Sequence, residues 1–393
     1  MDRARIHEGI RRMRFEDVLG RSERSELSQM EAAELLGIDE RTFRRWRGRH
    51  REHGLAGLED RRLRPSLRRA SKPEIERMLG LYRDLYRGFT VKLFHEQLGK
   101  RHNYVLGYTV TKLHLQRARL VTRAVKRSAH RKKQPRRPMV GMMLHQDAST
   151  HAWFTGNPRH YDLVVTLDDA TSAIYSAFFV DEEGTASSLR GIAEVVAKHG
   201  VFCSLYTDRG SHYFWTPEAG GRVSKTVLTQ VGRALKQLGV DHIAAYSPQA
   251  RGRSERAFLT LQDRLPNEMA LAGITTPEAA NLWLAQVYIA GHNGMFAIEP
   301  EHEQSAFVAD TAGAWREILC VQEERTAGND NTVSWHRLHL QLPPSRLRPH
   351  FVKATVRVHE YPDGAIAVFF GPHRLADYDA AGVMVIEPER WAA

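Results

Sequence analysis

A multidomain fold is predicted, with all-α helix-turn-helix modules at the N-terminus, a central α/β core and a small β-barrel at the C-terminus. Three observations predict it. Charge is segregated: residues 1–137 hold 36 Lys+Arg against 17 Asp+Glu (net +19), and the remainder holds 21 against 29 (net −8). Helix-capping signals punctuate the basic third. From Met139 the texture changes to short β-branched and aromatic runs set between turn signals. A chain of 393 residues exceeds one ordinary core and suits about two to four domains.

In the basic third, Ser28-Gln-Met-Glu31 is a capping box that opens a helix through Leu35-Leu36. Gly37 ends that helix, and Asp39 caps a second that runs from Glu40 to His53 and stops at Gly54. Small Ala32, with Phe43 and Trp46 turned inward, supplies the close packing a helix-turn-helix needs. Arg41, Thr42, Arg44, Arg45 and Arg47 then face outward, suited to phosphates and base edges. A plain αα-hairpin with an Arg-rich surface is the structural alternative, and the sustained charge surplus favours DNA binding. Ser71-Lys-Pro-Glu74 opens another helix, Thr90 caps one through Leu98, and Thr109 starts a third ending near Leu120. These three read as a second DNA-binding module. Lys126–Pro138 has too little apolar content to fold alone and is expected to track along phosphates.

Strands are expected at Met142–Asp147, Tyr161–Leu167, Ala173–Val180, Phe202–Thr207 and His242–Ala245, with helices at Ser187–His199 and Lys225–Leu238. An antiparallel meander continued by parallel βα units has this order, as in the ribonuclease-H-like fold. Three acids stand at the ends of these elements. Asp147 and Asp208 close apolar runs, and Glu255 opens a helical pattern. Alternation in a strand points His145 and Asp147 the same way. Asp208 lies at a strand's C-terminal end, where α/β proteins gather ligand sites. Glu255 falls in a first helical turn capped by Ser254, where the helix dipole favours an ionised carboxylate. Ala257, Phe258, Leu259, Leu261 and Leu265 would pack that helix. Three carboxylates brought together suit a hard divalent cation, Mg²⁺ or Mn²⁺. Arg251 and Arg253 flank Glu255 and suit phosphates, so in so basic a chain the fitting substrate is a phosphodiester.

Other chemistries are weaker. Asp168 and Asp169 also end a strand and could be turn formers or auxiliary site residues, and the structural reading is preferred. Zinc at His145, His212 or His292 lacks an HExxH pattern or paired cysteines, and Ser211 lacks a His–Asp triad context.

The segment from His145-Gln-Asp147 to about Phe296 resembles the integrase-type catalytic core of bacterial insertion-sequence transposases. The resemblance rests on Leu167-Asp-Asp-Ala-Thr171, Tyr206-Thr-Asp-Arg-Gly-Ser211, Ser247-Pro-Gln-Ala-Arg-Gly-Arg-Ser-Glu255 and His292-Asn-Gly-Met-Phe296. The whole chain, including Cys320-Val-Gln-Glu-Glu-Arg325 and His359-Glu-Tyr-Pro-Asp-Gly364, is similar to the ISNCY group of transposases. The resemblance implies a DDE site at Asp147, Asp208 and Glu255, two divalent ions, and cleavage and strand transfer at DNA ends. Asp147 would serve both ions, while Asp208 and Glu255 each complete one. Two features depart from the pattern: Arg209 stands where many such cores have Asn, and the 47-residue step from Asp208 to Glu255 is long. The added length falls in Gly-rich 216–224.

The expected organisation is therefore a helix-turn-helix domain (1–64), a second helical DNA-binding module (65–125), a basic linker (126–138) and a ribonuclease-H-like catalytic core (139–300). A helical connector (301–330) and a β-barrel (331–393) follow; Lys353, Arg357, His373 and Arg374 are the barrel's candidate DNA contacts. Expected partners are element terminal inverted repeats, target DNA and at least one further copy of the chain. Two cysteines, Cys203 and Cys320, make no disulfide framework. With no leader-like or membrane-spanning segment in the sequence, a cytoplasmic, nucleoid-associated protein is expected. A stand-alone metal-dependent nuclease of the same fold and a non-catalytic helix-turn-helix regulator are the alternative functions.

Overall fold

The computed structural model describes residues 3–59, 70–123, 135–218, 221–224, 226–246, 252–309 and 313–385. The chain divides into two compact units, Met1–Leu81 with Val105–Ala118, and Tyr82–Tyr104 with Arg119–Ala393. Among the described residues, the helices that precede the first strand are α1 (Arg3–Glu23), α2 (Gln29–Leu36), α3 (Glu40–His53), α4 (Lys72–Asp84), α5 (Val91–His102) and α6 (Tyr108–Arg117).

In the first unit the helix-turn-helix forms from its local signals. Ser28 accepts from Glu31 N while Glu31 accepts from Ser28 N, and Gly37 takes a left-handed φ of 67° that lets the chain turn. Asp39 caps α3 through Thr42 N at 2.8 Å. Phe43 is fully buried against Phe15 and packs with Ala32 and Ala33. Phe15 comes from α1, a helix that the capping signals did not announce. A 3-10 turn at Gly54–Leu58 closes the motif; a Cβ on Gly57 would stand 2.2 Å from Arg49 O, so only glycine fits.

The second unit is built on a five-stranded sheet. Its strands are β1 (Leu144–His151), β2 (Tyr161–Asp168), β3 (Ile174–Val180), β4 (Ser204–Thr207) and β5 (Asp241–Ala244), in the order β3-β2-β1-β4-β5. β1, β2 and β3 pair antiparallel; β4 is parallel to β1, and β5 to β4. This mixed sheet is consistent with a ribonuclease-H-like core. α7 (Thr185–His199) and α8 (Gln230–Leu238) cover one face, where Leu144, Leu205, Ile192, Val195 and Leu235 form one core. α9 (Gly252–Leu271), α10 (Pro277–Trp283), a π-helical turn (Leu284–Tyr288) and α11 (Ile289–Phe296) cover the other, with Leu163, Val165, Leu167, Phe258 and Leu261. Leu259 is 65% exposed and is not among the packing residues of α9, contrary to expectation. On β3, Asn281 bonds both backbone groups of Phe179, and Asn293 does the same for Ile174.

The expected C-terminal β-barrel is corrected. β6 (Val321–Thr326), β9 (Thr355–Glu360), β10 (Ile366–Phe370), β11 (His373–Tyr378) and β12 (Met384–Val385) form an open antiparallel sheet, and among the described residues no sheet closes on itself. β7 (Thr332–Trp335) and β8 (Leu338–Gln341) make a separate hairpin. That hairpin lays Val333, Trp335 and Leu340 over Val356, Val358, Ile366 and Val368, so the apolar face is buried without closure. The segment 301–330 is mostly not helical: it contains α12 (Trp315–Ile318) and then β6. Gln230 of α8 exchanges hydrogen bonds with the backbone of Gln322, joining this sheet to the core. Arg374 is engaged by Glu317 and Asp377. Among the described residues, no helix is long and apolar enough to cross a membrane.

Trp335 is 1% exposed at the centre of the hairpin's contact. Trp335→Ala should destabilise the C-terminal sheet by about 3–5 kcal/mol, read as lost hydrogen-exchange protection in β7–β10 with protection of α2 and α3 unchanged.

Candidate active site

β1 sorts its side chains by alternation. Gln146 turns toward α7, donating to Thr166 Oγ1 (3.0 Å) and Ser188 O (3.2 Å) and accepting from Tyr213 OH (3.0 Å). A Cβ on Gly191 would meet Gln146 Nε2 at 2.4 Å, so a larger residue there would displace that amide. His145, Asp147 and Ser149 lie opposite Leu167, Val165 and Leu163, the β2 residues that pack toward α9.

Asp208 is the first residue past the end of β4, the parallel neighbour of β1. β1 and β4 pair in parallel with Leu144 opposite Leu205 and His145 opposite Tyr206, an offset that, continued past the end of β4, would bring Asp208 toward Asp147. Adjacent strands are about 4.8 Å apart. Asp147 is 7% exposed and accepts from Ala148 N (3.1 Å); Asp208 is half-buried and accepts from Gly210 N (2.8 Å). Behind Asp208, Thr207 Oγ1 bonds His242 Nε2 at 3.0 Å, and that ring stacks on Phe214. Burial, with His212 adding, pushes the His242 pKa down to about 4, which keeps the ring neutral.

Two anchors align α9 with β1. At its start Arg253 pairs with Asp169, which also bonds His145 Nε2 (2.9 Å); further along, Gln262 Nε2 donates to Ser149 Oγ (2.9 Å). Arg253 to Gln262 spans about 13 Å of helix, and His145 to Ser149 about 13 Å of strand. Glu255 lies between the anchors, seven residues before Gln262 and so on the same side of the helix, in the stretch that runs beside Asp147. Its own side chain is exposed. α9 begins at Gly252, so Ser254 sits inside the first turn, buried, and not at the cap.

All donors of this acidic set are carboxylate oxygens, which fits a hard divalent cation in donor chemistry. Among the described residues, however, no three His, Cys, Asp or Glu side chains are grouped to hold a metal. Asp168 and Asp169, expected to be structural, are both occupied by donors of the fold. Asp168 accepts from Gly141 N, Thr171 N and Thr171 Oγ1; burial raises its pKa against those donors. Asp169 is also pushed up by burial. His145, Arg137 N (2.6 Å) and the Arg253 charge outweigh that and hold it below the ordinary range.

Arg253, expected to meet phosphate, thus has Asp169 and Pro135 O as partners. Arg251 lies outside the described residues, as does most of the 126–138 linker. The linker's end is tied down: Arg136 Nη1 donates to the carbonyls of Asp169 and Ala170 and to Ser172 Oγ. No periodicity signals those contacts. In the first unit, Arg41, Arg44 and Arg45 are exposed on α3, while Arg47 and Thr42 are half-buried and the Thr42 hydroxyl is bonded to Asp39.

Removing the Asp169 carboxylate leaves Arg253 without its buried counter-charge. Asp169→Ala should cost about 3–5 kcal/mol, measured by denaturant unfolding. Because the folded pKa of Asp169 is depressed, its stabilisation is present at neutral pH and is lost as pH falls through the folded value. Asp169→Asn should accordingly flatten the stability profile below about pH 5.

A helix-turn-helix domain family matches residues 18–66. Relatives include the "Putative transposase y4bF" of Sinorhizobium fredii (strain NBRC 101917 / NGR234), 28% identical over 370 residues, with 91% of this chain and 79% of that protein aligned. The "Transposase for insertion sequence IS1202" of Streptococcus pneumoniae is 34% identical over 162 residues, which is 41% of this chain and 34% of that protein. This chain therefore matches about a third of the second relative's length. Among solved structures, the HTLV-2 integrase catalytic core domain in complex with magnesium aligns at 14% identity and a TM-score of 0.28, over 38% of this chain and 89% of that one. The simian T-cell lymphotropic virus intasome in complex with PP2A regulatory subunit B56 gamma aligns at 13% identity and 0.32, over 76% and 99%. Those TM-scores are too low to establish a common fold. On the sequence relatives, the chain is distantly homologous to insertion-sequence transposases.

Proposed function

We propose that this chain is a DNA transposase of the insertion-sequence type, ISNCY-like, which binds element ends and catalyses their cleavage and transfer to target DNA. One observation carries the reading: Asp147 lies on β1, Asp208 directly follows the adjacent parallel strand β4, and Glu255 lies in the first turns of α9, which is tied to β1 through Gln262 and Ser149. The net charge of +19 on residues 1–137 supplies the grip on a polyanion.

Asp147, Asp208 and Glu255 are the residues that would hold two Mg²⁺ or Mn²⁺ ions. Such ions, when bound, polarise a phosphodiester and make water a better nucleophile. The protein's own part is orientation. The Ala148 N–H and the strand hold Asp147, the Gly210 N–H turns the Asp208 carboxylate, and the Arg253–Asp169 pair fixes the first turn of α9. In cleavage, water oxygen bonds to phosphorus and the 3′ oxygen departs as a hydroxyl. In joining, that hydroxyl attacks a target phosphodiester. One P–O bond breaks for each that forms, so no energy cofactor is needed. Joining two ends calls for at least two copies of the chain on DNA. Arg41, Thr42, Arg44, Arg45 and Arg47 of α3 are the proposed end-binding surface.

Asp208→Asn should abolish both cleavage and joining of labelled element ends while end binding in a mobility-shift assay is kept; joining by that variant would sink the assignment. A stand-alone nuclease would cut a pre-cleaved end's target but never join it. A regulator would keep its function when all three acids are replaced together. Arg44→Ala with Arg45→Ala should weaken end binding and lower the salt dependence by roughly one unit of log–log slope per lost phosphate contact.

A further inference from the structure

The residues that follow Asp208 form one hydrogen-bonded turn. Gly210 N donates to Asp208 Oδ1 at 2.8 Å, and Gly210 O accepts from Tyr213 N at 3.0 Å and Phe214 N at 2.9 Å. A Cβ on Gly210 would stand 3.1 Å from Asp208 Oδ1 and 2.9 Å from His212 Cε1, so the turn is wrapped closely around that carboxylate. Thr229 holds the far end: its hydroxyl donates to Tyr213 O at 2.9 Å and accepts from Gly232 N to cap α8. Where Tyr213 is fixed, the Asp208 carboxylate is fixed with it.

The Tyr213 side chain leaves this turn for β1. It is 1% exposed and packs in the core with Leu144, Leu189, Leu205 and Leu235. Its hydroxyl has Gln146 Oε1 at 3.0 Å and Glu183 Oε1 at 3.1 Å. Burial first, and then the Glu183 charge, hold its pKa well above the ordinary range, so it keeps its proton and donates. Gln146 is the residue before Asp147, and its amide nitrogen is committed to Thr166 and Ser188, which presents the amide oxygen to Tyr213. Glu183 is tied in turn through its own N–H to Asp162 Oδ2 at 2.7 Å. Phenylalanine would fill the same space with no buried polar atom to satisfy. What the hydroxyl adds is direction, since a fully bonded polar group in a core selects one arrangement of the parts it joins.

We propose that Tyr213 is a positioning residue, whose hydroxyl, bonded to Gln146 and Glu183, braces the turn that carries Asp208 against the strand that carries Asp147. The proposal rests on the reading above for what the two acids do, but the brace itself does not depend on the reaction.

The test uses the full chain with Tyr213→Phe, which removes one oxygen and keeps the ring. Tyr378→Phe is the matched control, because it removes another buried hydroxyl bond, to Gln341 O at 2.6 Å, from the C-terminal sheet. Without divalent cations, hydrogen exchange at the Gly210, Tyr213 and Phe214 amides should quicken in Tyr213→Phe, while amides of α2 and α3 keep their protection. With Mg²⁺, kcat for cleavage of element ends should fall roughly tenfold to a hundredfold. The Mg²⁺ concentration for half-maximal rate should rise, and the KM for end DNA should stay at the wild-type value. Tyr378→Phe should keep the wild-type kcat. Wild-type exchange at the three amides of Tyr213→Phe overturns the proposal. So does a wild-type kcat in Tyr213→Phe, or an equal loss of kcat in Tyr378→Phe, since general stability would then be the cause. The two readings fail separately. Joining by Asp208→Asn removes the reaction, and exchange at the three amides then decides the brace by itself. An inactive Asp208→Asn beside a fully active Tyr213→Phe removes the brace alone.

Discussion

The buried carboxylate of Asp169 is the constraint from which the candidate site is built. At 2% exposure it would be strongly penalised as an ion, and it remains one because three donors from different parts of the chain converge on it. His145 comes from β1, Arg253 from the first turn of α9, and the Arg137 N–H from the segment entering the core. Meeting the needs of that one ion therefore fixes where α9 starts relative to β1. Once that start is fixed, the equal spans of helix and strand bring Gln262 to Ser149 and carry Glu255 past Asp147.

Adjacent acids in one tetrapeptide have opposite characters here. Asp168 is surrounded mainly by backbone and hydroxyl donors of its own turn, and burial raises its pKa. Asp169, one residue on, is held ionised by side chains from elsewhere. Asp147 and Asp208 each accept from a backbone N–H close in sequence, Ala148 and Gly210.

Local signals carried the sequence reading furthest. The Ser28–Glu31 box, Gly37 and Asp39 specify the helix-turn-helix within a few residues, and alternation through β1 and β2 locates Asp147 on the α9 face. What was not legible depends on partners distant in sequence. Whether five strands close depends on what covers them, and the β7–β8 hairpin removes the need for closure. An Arg beside a candidate acid reads as a phosphate contact until a buried Asp 84 positions away claims it, as Asp169 claims Arg253. Leu259 fits the apolar pattern of α9 by composition, yet falls on its outer side.

The two Asn latches on β3 bear on how crowded copies of the chain behave. An exposed strand offers a row of free amides and carbonyls to any similar strand nearby. Asn281 and Asn293 occupy those groups at Phe179 and Ile174, each side chain standing in for the missing neighbour. At one rim of the C-terminal sheet, β6 carries Glu323, Glu324 and Arg325. The β3 and β6 rims are thus poor templates for strand addition. Copies gathered at high local concentration are guarded against pairing through these two edges.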